Sequence, residues 1–337
     1  MSKETLKIVF PMAGFGTRLR PHTWSTPKPL LRIAGGTVLD YVLELVQTLP
    51  DPDNVELIFI IGYLGDQFQP YMEKYYPHMQ VHYVEQPEMR GQSHAIYLAK
   101  ELLHGPMLMV FADTLIDTHL SVIADHAVEG LAWVKPVEDP RRFGVAVTNA
   151  DGWVTRLVEK PQDKSNNQVV VGFYYFKQAE DLVAAIEEQM RRNVQLKGEF
   201  FLADAINIML ERGLKMRTQK VDVWLDAGVP ATMLETNRYL LDHGKDNSQE
   251  AAQRQGVAVV PPVYIHPTAS VENAVVGPHA SLGPGCVVQN SVVRNSIISD
   301  AAQLTDVVLA DSLVGPQAVV RGTTSQLDMG ASAKVAL

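Results

Sequence analysis

The chain has 337 residues, of which 46% are hydrophobic, a formal charge of −9 and a single cysteine. That length and apolar share suffice for a full core, exclude a disordered chain and predict two domains, since single cores rarely grow beyond roughly 250 residues. The acidic balance excludes a general nucleic-acid-binding surface, and the lone Cys286 excludes an intrachain disulfide.

The single cysteine leaves no Cys pair at zinc-site spacing. The longest apolar runs, such as 57–61 and 107–111, fall far short of the ~20 residues of a membrane-spanning helix, so no membrane span is expected. The opening residues lead straight into a strand-like segment without a signal peptide's apolar core, and a cytoplasmic protein in a reducing compartment is expected.

From residue 6 to about 225, short apolar runs alternate with segments of helical period, the pattern of parallel strands joined by crossover helices. Strands are predicted at 7–12, 56–61, 80–84, 107–112 and 132–137. A helix over 38–49 sets Leu39, Val42, Leu43 and Val46 on one face, with Thr37 as its N-cap and Pro50 just past its end. Further helices are predicted at 92–103, 179–192, 203–211 and 230–241. The class is α/β, and this domain is expected to span 1–242.

Residues 243–256 are polar and read as a linker. Over 257–337 the grammar changes. Aliphatic residues recur six apart at Ile265 and Val271, at Val276, Leu282 and Val288, at Ile298 and Leu304, and at Val314 and Val320, with Gly, Pro, Ala and Asn between them. Short strands at this hexapeptide period predict a β-helix, in which each side of a triangular coil points one aliphatic side chain inward. At roughly 18 residues per coil the tail holds only a few turns. The register breaks near 290–296.

The segment 11–21, Pro-Met-Ala-Gly-Phe-Gly-Thr-Arg-Leu-Arg-Pro, follows the first strand directly, where open α/β sheets bind ligands. Gly14 and Gly16 permit close backbone approach, so that successive amide N–H groups can surround phosphate oxygens. The loop lacks both the third glycine of a dinucleotide fingerprint and the Gly-Lys-Ser/Thr ending of a P-loop. Instead, Arg18 and Lys28 supply two cations ten residues apart, the second framed by Pro27 and Pro29, which restrict the backbone around it. This combination reads as a triphosphate clamp; its competitor is a surface turn with solvated charges.

The string Gly14-x-Gly16-Thr17-Arg18-Leu19-x-Pro21-x-Thr23-x-x-x-Pro27-Lys28-Pro29-Leu30 resembles the signature of the sugar-phosphate nucleotidyltransferases, a group that includes thymidylyl-, uridylyl-, guanylyl- and adenylyltransferases. The resemblance covers most of the chain. It implies a Rossmann-like mixed sheet followed by a left-handed parallel β-helix, and a reaction that joins a nucleoside triphosphate to a sugar 1-phosphate with release of pyrophosphate. On this resemblance Arg18 and Lys28 are the catalytic cations, and Ala13, Gly14, Gly16 and Thr17 bind the nucleotide.

Later segments match the same family in order. Glu85-Gln86-Pro87 with Gly91-Gln92-Ser93-His94-Ala95 resembles the base-reading element, in which Gln86 and Gly91 contact the nucleobase. Phe111-Ala112-Asp113-Thr114 resembles the Gly-Asp element, with Ala112 in place of the glycine, and Trp224-Leu225-Asp226-Ala227-Gly228 the Trp-x-Asp-x-Gly element. Asp113 and Asp226 are thereby the implied magnesium ligands. The segments around Gly144, Glu159, Lys160 and Gly172 resemble the sugar-phosphate pocket, although Phe143 lacks the hydroxyl a tyrosine would offer there. His94 reads as a packing residue at the start of a helix and is assigned no chemistry.

Glucose 1-phosphate with dTTP or UTP is the expected substrate pair, and Mg2+ the expected cofactor. Gln86 offers a donor and an acceptor, as a pyrimidine edge requires, though an amide also serves a purine. Two alternatives stand beside this reading: a bifunctional nucleotidyltransferase and acetyltransferase, and a non-catalytic regulatory subunit. The open coil ends and flat faces of a β-helix predict a homo-oligomer.

Overall fold

The computed structural model describes residues 4–124 and 128–322. Its internal contacts divide the chain into two units, Met1–Leu31 with Thr37–Thr232, and Arg32–Gly36 with Met233–Leu337.

The first unit is built on a nine-stranded sheet. Strands β1 (Leu6–Pro11), β2 (Val55–Ile61), β3 (Val81–Glu85) and β4 (Met107–Val110) lie parallel in the order β4-β1-β2-β3. Ile8 and Phe10 of β1 join one core cluster and Val9 the other, so the strand is buried on both faces and reads as a continuous apolar run. Helices α1 (Val38–Val46) and α2 (Phe68–Tyr75) pack into the first cluster. Into the second pack α3 (Gln92–Leu98), α4 (Ala179–Arg191) and α5 (Leu202–Glu211). Thr37 caps α1 as expected: its hydroxyl accepts from the Asp40 amide, and the Asp40 carboxylate accepts from the Thr37 amide.

The remaining strands correct the expectation of a parallel sheet and bear out a mixed one. After β5 (Thr114–Asp117) and β6 (Gly130–Pro136) come β7 (Gly144–Thr148), β8 (Val154–Glu159) and β9 (Gln168–Phe176). Strand β9 runs antiparallel to β4, β6 and β7, and β8 antiparallel to β7. The β7–β8 connection is too short for the crossover that parallel strands need. It closes instead on Asn149, whose side-chain oxygen accepts from the amides of Asp151 and Trp153. Strand β10 (Met216–Lys220) pairs parallel to β6, and β11 (Val223–Asp226) pairs antiparallel to β5 outside the main sheet.

In the second unit, twelve short strands form three parallel sheets of four, one strand per sheet in each successive coil. This is a parallel β-helix, consistent with the left-handed one expected. Val276, Leu282, Val288, Ile298 and Leu304 are fully buried in its core, as their spacing predicts. Neighbouring coils pair Val263 with Ala280, seventeen positions on, and then Ile297 with Leu313, sixteen on. The coil thus falls short of eighteen residues, which accounts for the break in the six-residue period. The turns use residues that tolerate a left-handed backbone, including Asn273, Asn290 and Asp306, stacked by side-chain hydrogen bonds from Asn273 to Asn290 (3.5 Å) and Asn290 to Asp306 (3.0 Å).

Residues 243–256, expected as a linker, are instead built into this unit after α6 (Pro230–Leu240). Here α7 (Ser248–Ala251) buries Ala251 in the β-helix core. Asn247 exchanges two hydrogen bonds with the backbone of Ile265 (2.8 and 2.9 Å), and the Ser248 hydroxyl accepts from the Val263 amide (2.9 Å). The polar composition that suggested a linker satisfies backbone groups of the first coil. Buried Asn237 on α6 likewise accepts from the Ala34 amide and the Ser281 hydroxyl and donates to the His279 carbonyl.

Candidate active site

Strand β1 has β2 on one side and β4 on the other, so the chain leaves it in both directions and a crevice opens over its carboxyl end. The glycine loop occupies this position. Gly16, at φ +60°, starts a short 3-10 turn over Thr17–Leu19, and its carbonyl accepts from the Thr23 hydroxyl at 2.9 Å. A Cβ at Gly16 would lie 2.9 Å from Thr23 Cγ2, so both residues of the motif serve one tight turn. Gly14 is different. A Cβ there would meet no protein atom within 4 Å, which leaves its surface open to a ligand.

A cleft of 360 Å3 lies over this loop, lined by Gly14, Gly16, Thr17, Arg18, Lys28 and Asp113 among the expected residues, and also by Phe111, Gln92 and Gly228, which sequence reasoning assigned no role. Lys28 opens a 3-10 turn over Lys28–Leu30, fixed by the buried Pro29 and Leu30 and by hydrogen bonds from the Leu30 amide to the Pro27 carbonyl and from the Leu31 amide to the Lys28 carbonyl. Its Nζ donates to Asp113 Oδ2 in a short ion pair.

Asp113 follows β4, and antiparallel pairing of β5 with β11 sets Asp226 opposite Thr114. The Ala227 amide donates to the Asp113 carbonyl at 2.9 Å, tying the two segments at the carboxylates. Asp226 Oδ2 accepts from the Thr232 hydroxyl at 3.3 Å. Gly228 leaves room for this group and for Arg18: a Cβ there would lie 2.7 Å from Asp226 Oδ1 and 3.2 Å from an Arg18 guanidinium nitrogen.

The electrostatics follow from the geometry. Burial pushes the Asp113 carboxyl up, but Lys28, the Thr114 hydroxyl and Arg18 outweigh it and hold it below the usual range. Asp226 is raised, by burial first and then by the negative charge of Asp113, against the pull of Lys28 and Arg18. Two adjoining carboxylates that repel each other suit Mg2+, which commonly takes one or two protein carboxylates and completes its shell with water and substrate oxygens. No cluster of three or more His, Cys, Asp or Glu able to hold a metal by itself occurs among the described residues.

The other expected residues lie outside the cleft lining. Ala13 and Gln86 are buried, and Gln86 follows β3 with its backbone N–H donating to the Ile61 carbonyl. Gly91, at φ +95°, precedes α3, and a Cβ there would sit 2.6 Å from the Phe200 backbone. Gly144 stands opposite Glu159 across the β7–β8 pair, and its missing side chain leaves space for the Glu159 carboxylate, 3.1 Å from where a Cβ would be. Burial raises the Glu159 carboxyl despite Lys160, whose Nζ is 3.7 Å from it and 4.9 Å above the Phe201 ring. Gly172, at φ +87°, faces Phe111 so closely that a Cβ would be 2.3 Å from the ring.

A second cleft of 450 Å3 lies at Glu129, Lys177, Asp181 and Arg212, with charges of both signs and none of the motif residues. Among the described residues no helix is long and apolar enough to cross a membrane.

Comparison with known proteins agrees with this architecture. The bifunctional protein GlmU of Methanocaldococcus jannaschii is 31% identical over 234 residues, 68% of this chain and 53% of that protein, so the chain spans about half the length of this relative. The glucose-1-phosphate thymidylyltransferase of Streptomyces griseus is 28% identical over 338 residues, 92% of each chain. A solved UDP-glucose pyrophosphorylase in complex with UDP-glucose shares the fold with a TM-score of 0.61 at 22% identity, covering 71% of this chain and 99% of that one. The sequence profile of the nucleotidyl transferase family matches residues 9–243, well over half the chain, and the chain belongs to that family.

Proposed function

We propose that this protein transfers a nucleotidyl group from a nucleoside triphosphate to a sugar 1-phosphate, giving a nucleoside diphosphate sugar and pyrophosphate, with glucose 1-phosphate and dTTP or UTP as the substrates. The observation that carries this reading is the pairing of two cations, Arg18 and Lys28, with two carboxylates, Asp113 and Asp226, beside a glycine loop at the carboxyl end of β1. The names of the thymidylyltransferase and pyrophosphorylase relatives support the same reaction.

In this mechanism an oxygen of the sugar phosphate attacks the α-phosphorus in line and pyrophosphate departs on the opposite side. Two anions meet, so the barrier is largely electrostatic, and positioned cations lower it. Lys28, already anchored by Asp113 and the Pro27–Pro29 frame, stabilises charge on the α-phosphate with little reorganisation, and Arg18 serves the departing pyrophosphate. Ala13, Gly14, Gly16 and Thr17 hold the triphosphate, and Gln86 and Gly91 the base. Lys160 binds the phosphate of the sugar, while Glu159 accepts from its hydroxyls beside Gly144 and Gly172. Asp113 and Asp226 would hold Mg2+, which would supply charge neutralisation at the phosphate oxygens.

The protein is proposed to be cytoplasmic and a homo-oligomer through its β-helix. The alternative of a second activity has behind it only a relative named as bifunctional, which this chain matches over 53% of that protein's length. Incubation with Mg2+, glucose 1-phosphate and dTTP or UTP, followed by mass spectrometry, tests the proposal. It requires a new species of the mass of the nucleoside diphosphate glucose, and unchanged substrates would contradict it.

A further inference from the structure

His94 was the motif residue left without chemistry, and its surroundings give it one. It lies in the first turn of α3, 9% exposed, against Gln86, which is 6% exposed. The Gln86 amide nitrogen, Nε2, donates to the Gly91 carbonyl at 3.3 Å and reaches His94 Nδ1 at 3.4 Å. Both contacts engage the same end of the amide. No protein donor among the described residues hydrogen-bonds its other end, Oε1. Burial, followed by the nearby charge of Arg90, holds the His94 imidazole below its ordinary pKa despite Glu88. A neutral ring that accepts at Nδ1 carries its proton on Nε2.

An amide is nearly symmetric in shape, and only its partners fix which end is presented. With two acceptors on one side, the flipped amide would set an oxygen against the Gly91 carbonyl and the Nδ1 lone pair. Rotation is therefore disfavoured, and the carbonyl is the end left without a protein donor among the described residues. Such an acceptor pairs with a ring N–H, which uracil and thymine carry at N3 and guanine at N1. The corresponding ring nitrogens of cytosine and adenine are themselves acceptors and leave both groups unpaired.

We propose that His94 is a positioning residue for nucleobase selection: it locks the Gln86 amide with its carbonyl toward the base and so favours bases with a ring N–H over cytosine and adenine. The inference rests on the reading of Gln86 as a base contact. It extends that reading by naming the residue that decides which end of the amide is offered.

The test compares kcat/KM for UTP, dTTP, CTP and ATP, with glucose 1-phosphate and Mg2+, in the parent, His94→Leu, His94→Asn, Gln86→Leu and the double variant, each checked for folding by thermal melting. His94→Leu removes the acceptor, and the preference for UTP or dTTP over CTP should fall by about two- to tenfold, the worth of one hydrogen bond. Asn places its Oδ1 near the position of Nδ1, so His94→Asn should restore the preference. In the Gln86→Leu background, adding His94→Leu should leave the remaining preference unchanged, because His94 acts through Gln86. An unchanged preference in folded His94→Leu would overturn the proposal, as would its loss in His94→Asn or additive losses in the double variant. If His94→Leu does not fold, His94→Asn and the Gln86→Leu comparison decide it. A folded parent silent with all four nucleotides would overturn the underlying reading, and this inference with it.

Discussion

Replacing Lys28 by methionine keeps the aliphatic stem beside Pro29 and Leu30 and deletes only the ammonium, which makes it the sharpest single perturbation of the site. Two consequences can be sized. The first is catalytic: removing one preorganised charge stabiliser costs ~2.7–4 kcal/mol in the transition state, a fall in kcat of about a hundred- to a thousandfold. The second concerns Asp113, which loses its ion-pair partner and keeps Arg18 as its remaining cation named above. Burial then weighs more heavily against Arg18 and the Thr114 hydroxyl, and the Asp113 carboxyl should rise. Its side chain is 33% exposed, so water softens the loss, and we expect destabilisation of only about 1–2 kcal/mol. A coupled pyrophosphate-release assay at saturating substrate, paired with thermal unfolding, reads both. Turnover within about tenfold of the parent in a folded Lys28→Met protein would refute the electrostatic account of this site.

Asp226→Asn should raise the Mg2+ concentration needed for half-maximal rate by at least about tenfold, and an unchanged magnesium titration would remove Asp226 from the proposed ligands. Because the carboxyl of Asp226 is raised, its charge is lost at higher pH than that of a solvated aspartate, so Mg2+ affinity should weaken earlier as pH falls, and measurement of half-maximal Mg2+ against pH checks the sign. Gly172→Ala should lower the melting temperature by an amount matching about 1–3 kcal/mol, since the added Cβ meets Phe111 in a left-handed backbone; an unshifted melting curve would contradict this. The Glu56 carboxyl is held low, chiefly by its hydrogen bond from Lys7, so its stabilisation is present above its unfolded pKa and lost as pH falls through the folded one. Glu56→Gln should accordingly flatten the acid limb of the stability profile, which unfolding in urea at several pH values measures.

Local signals in the sequence located the elements that carry the cleft. Strand β1, the glycine loop and the proline frame of Lys28 depend on neighbours within a few residues, which is why they could be read directly, whereas the bond from the Thr23 hydroxyl to the Gly16 carbonyl was not. The helix expected over 38–49 ends at Val46, and that expected over 92–103 ends at Leu98 before a separate short turn. Helix α2 was missed because it buries only Phe68 and Met72, too sparse an apolar stripe to announce itself.

The meeting of Asp113 with Asp226 was beyond local reading, since it depends on β5 pairing with β11 across the intervening sheet, and only the resemblance implied it. Strand β9 had a legible signal, the run Gln-Val-Val-Val-Gly-Phe-Tyr-Tyr-Phe, buried at all but its first position, but nothing in that run fixes its antiparallel direction. The role of His94 was hidden for a related reason. A histidine opening a helix packs in most proteins, and only the side chain brought against it, eight residues earlier, gives it a chemical task.

The most direct test of the central claim is pyrophosphate release by the purified protein with Mg2+, with dTTP, UTP, ATP, GTP and CTP each tried against the 1-phosphates of glucose, mannose, galactose and N-acetylglucosamine. The account predicts release that requires both substrates and is strongest for glucose 1-phosphate with dTTP or UTP. Silence across the whole panel, from folded protein with magnesium present, would contradict it.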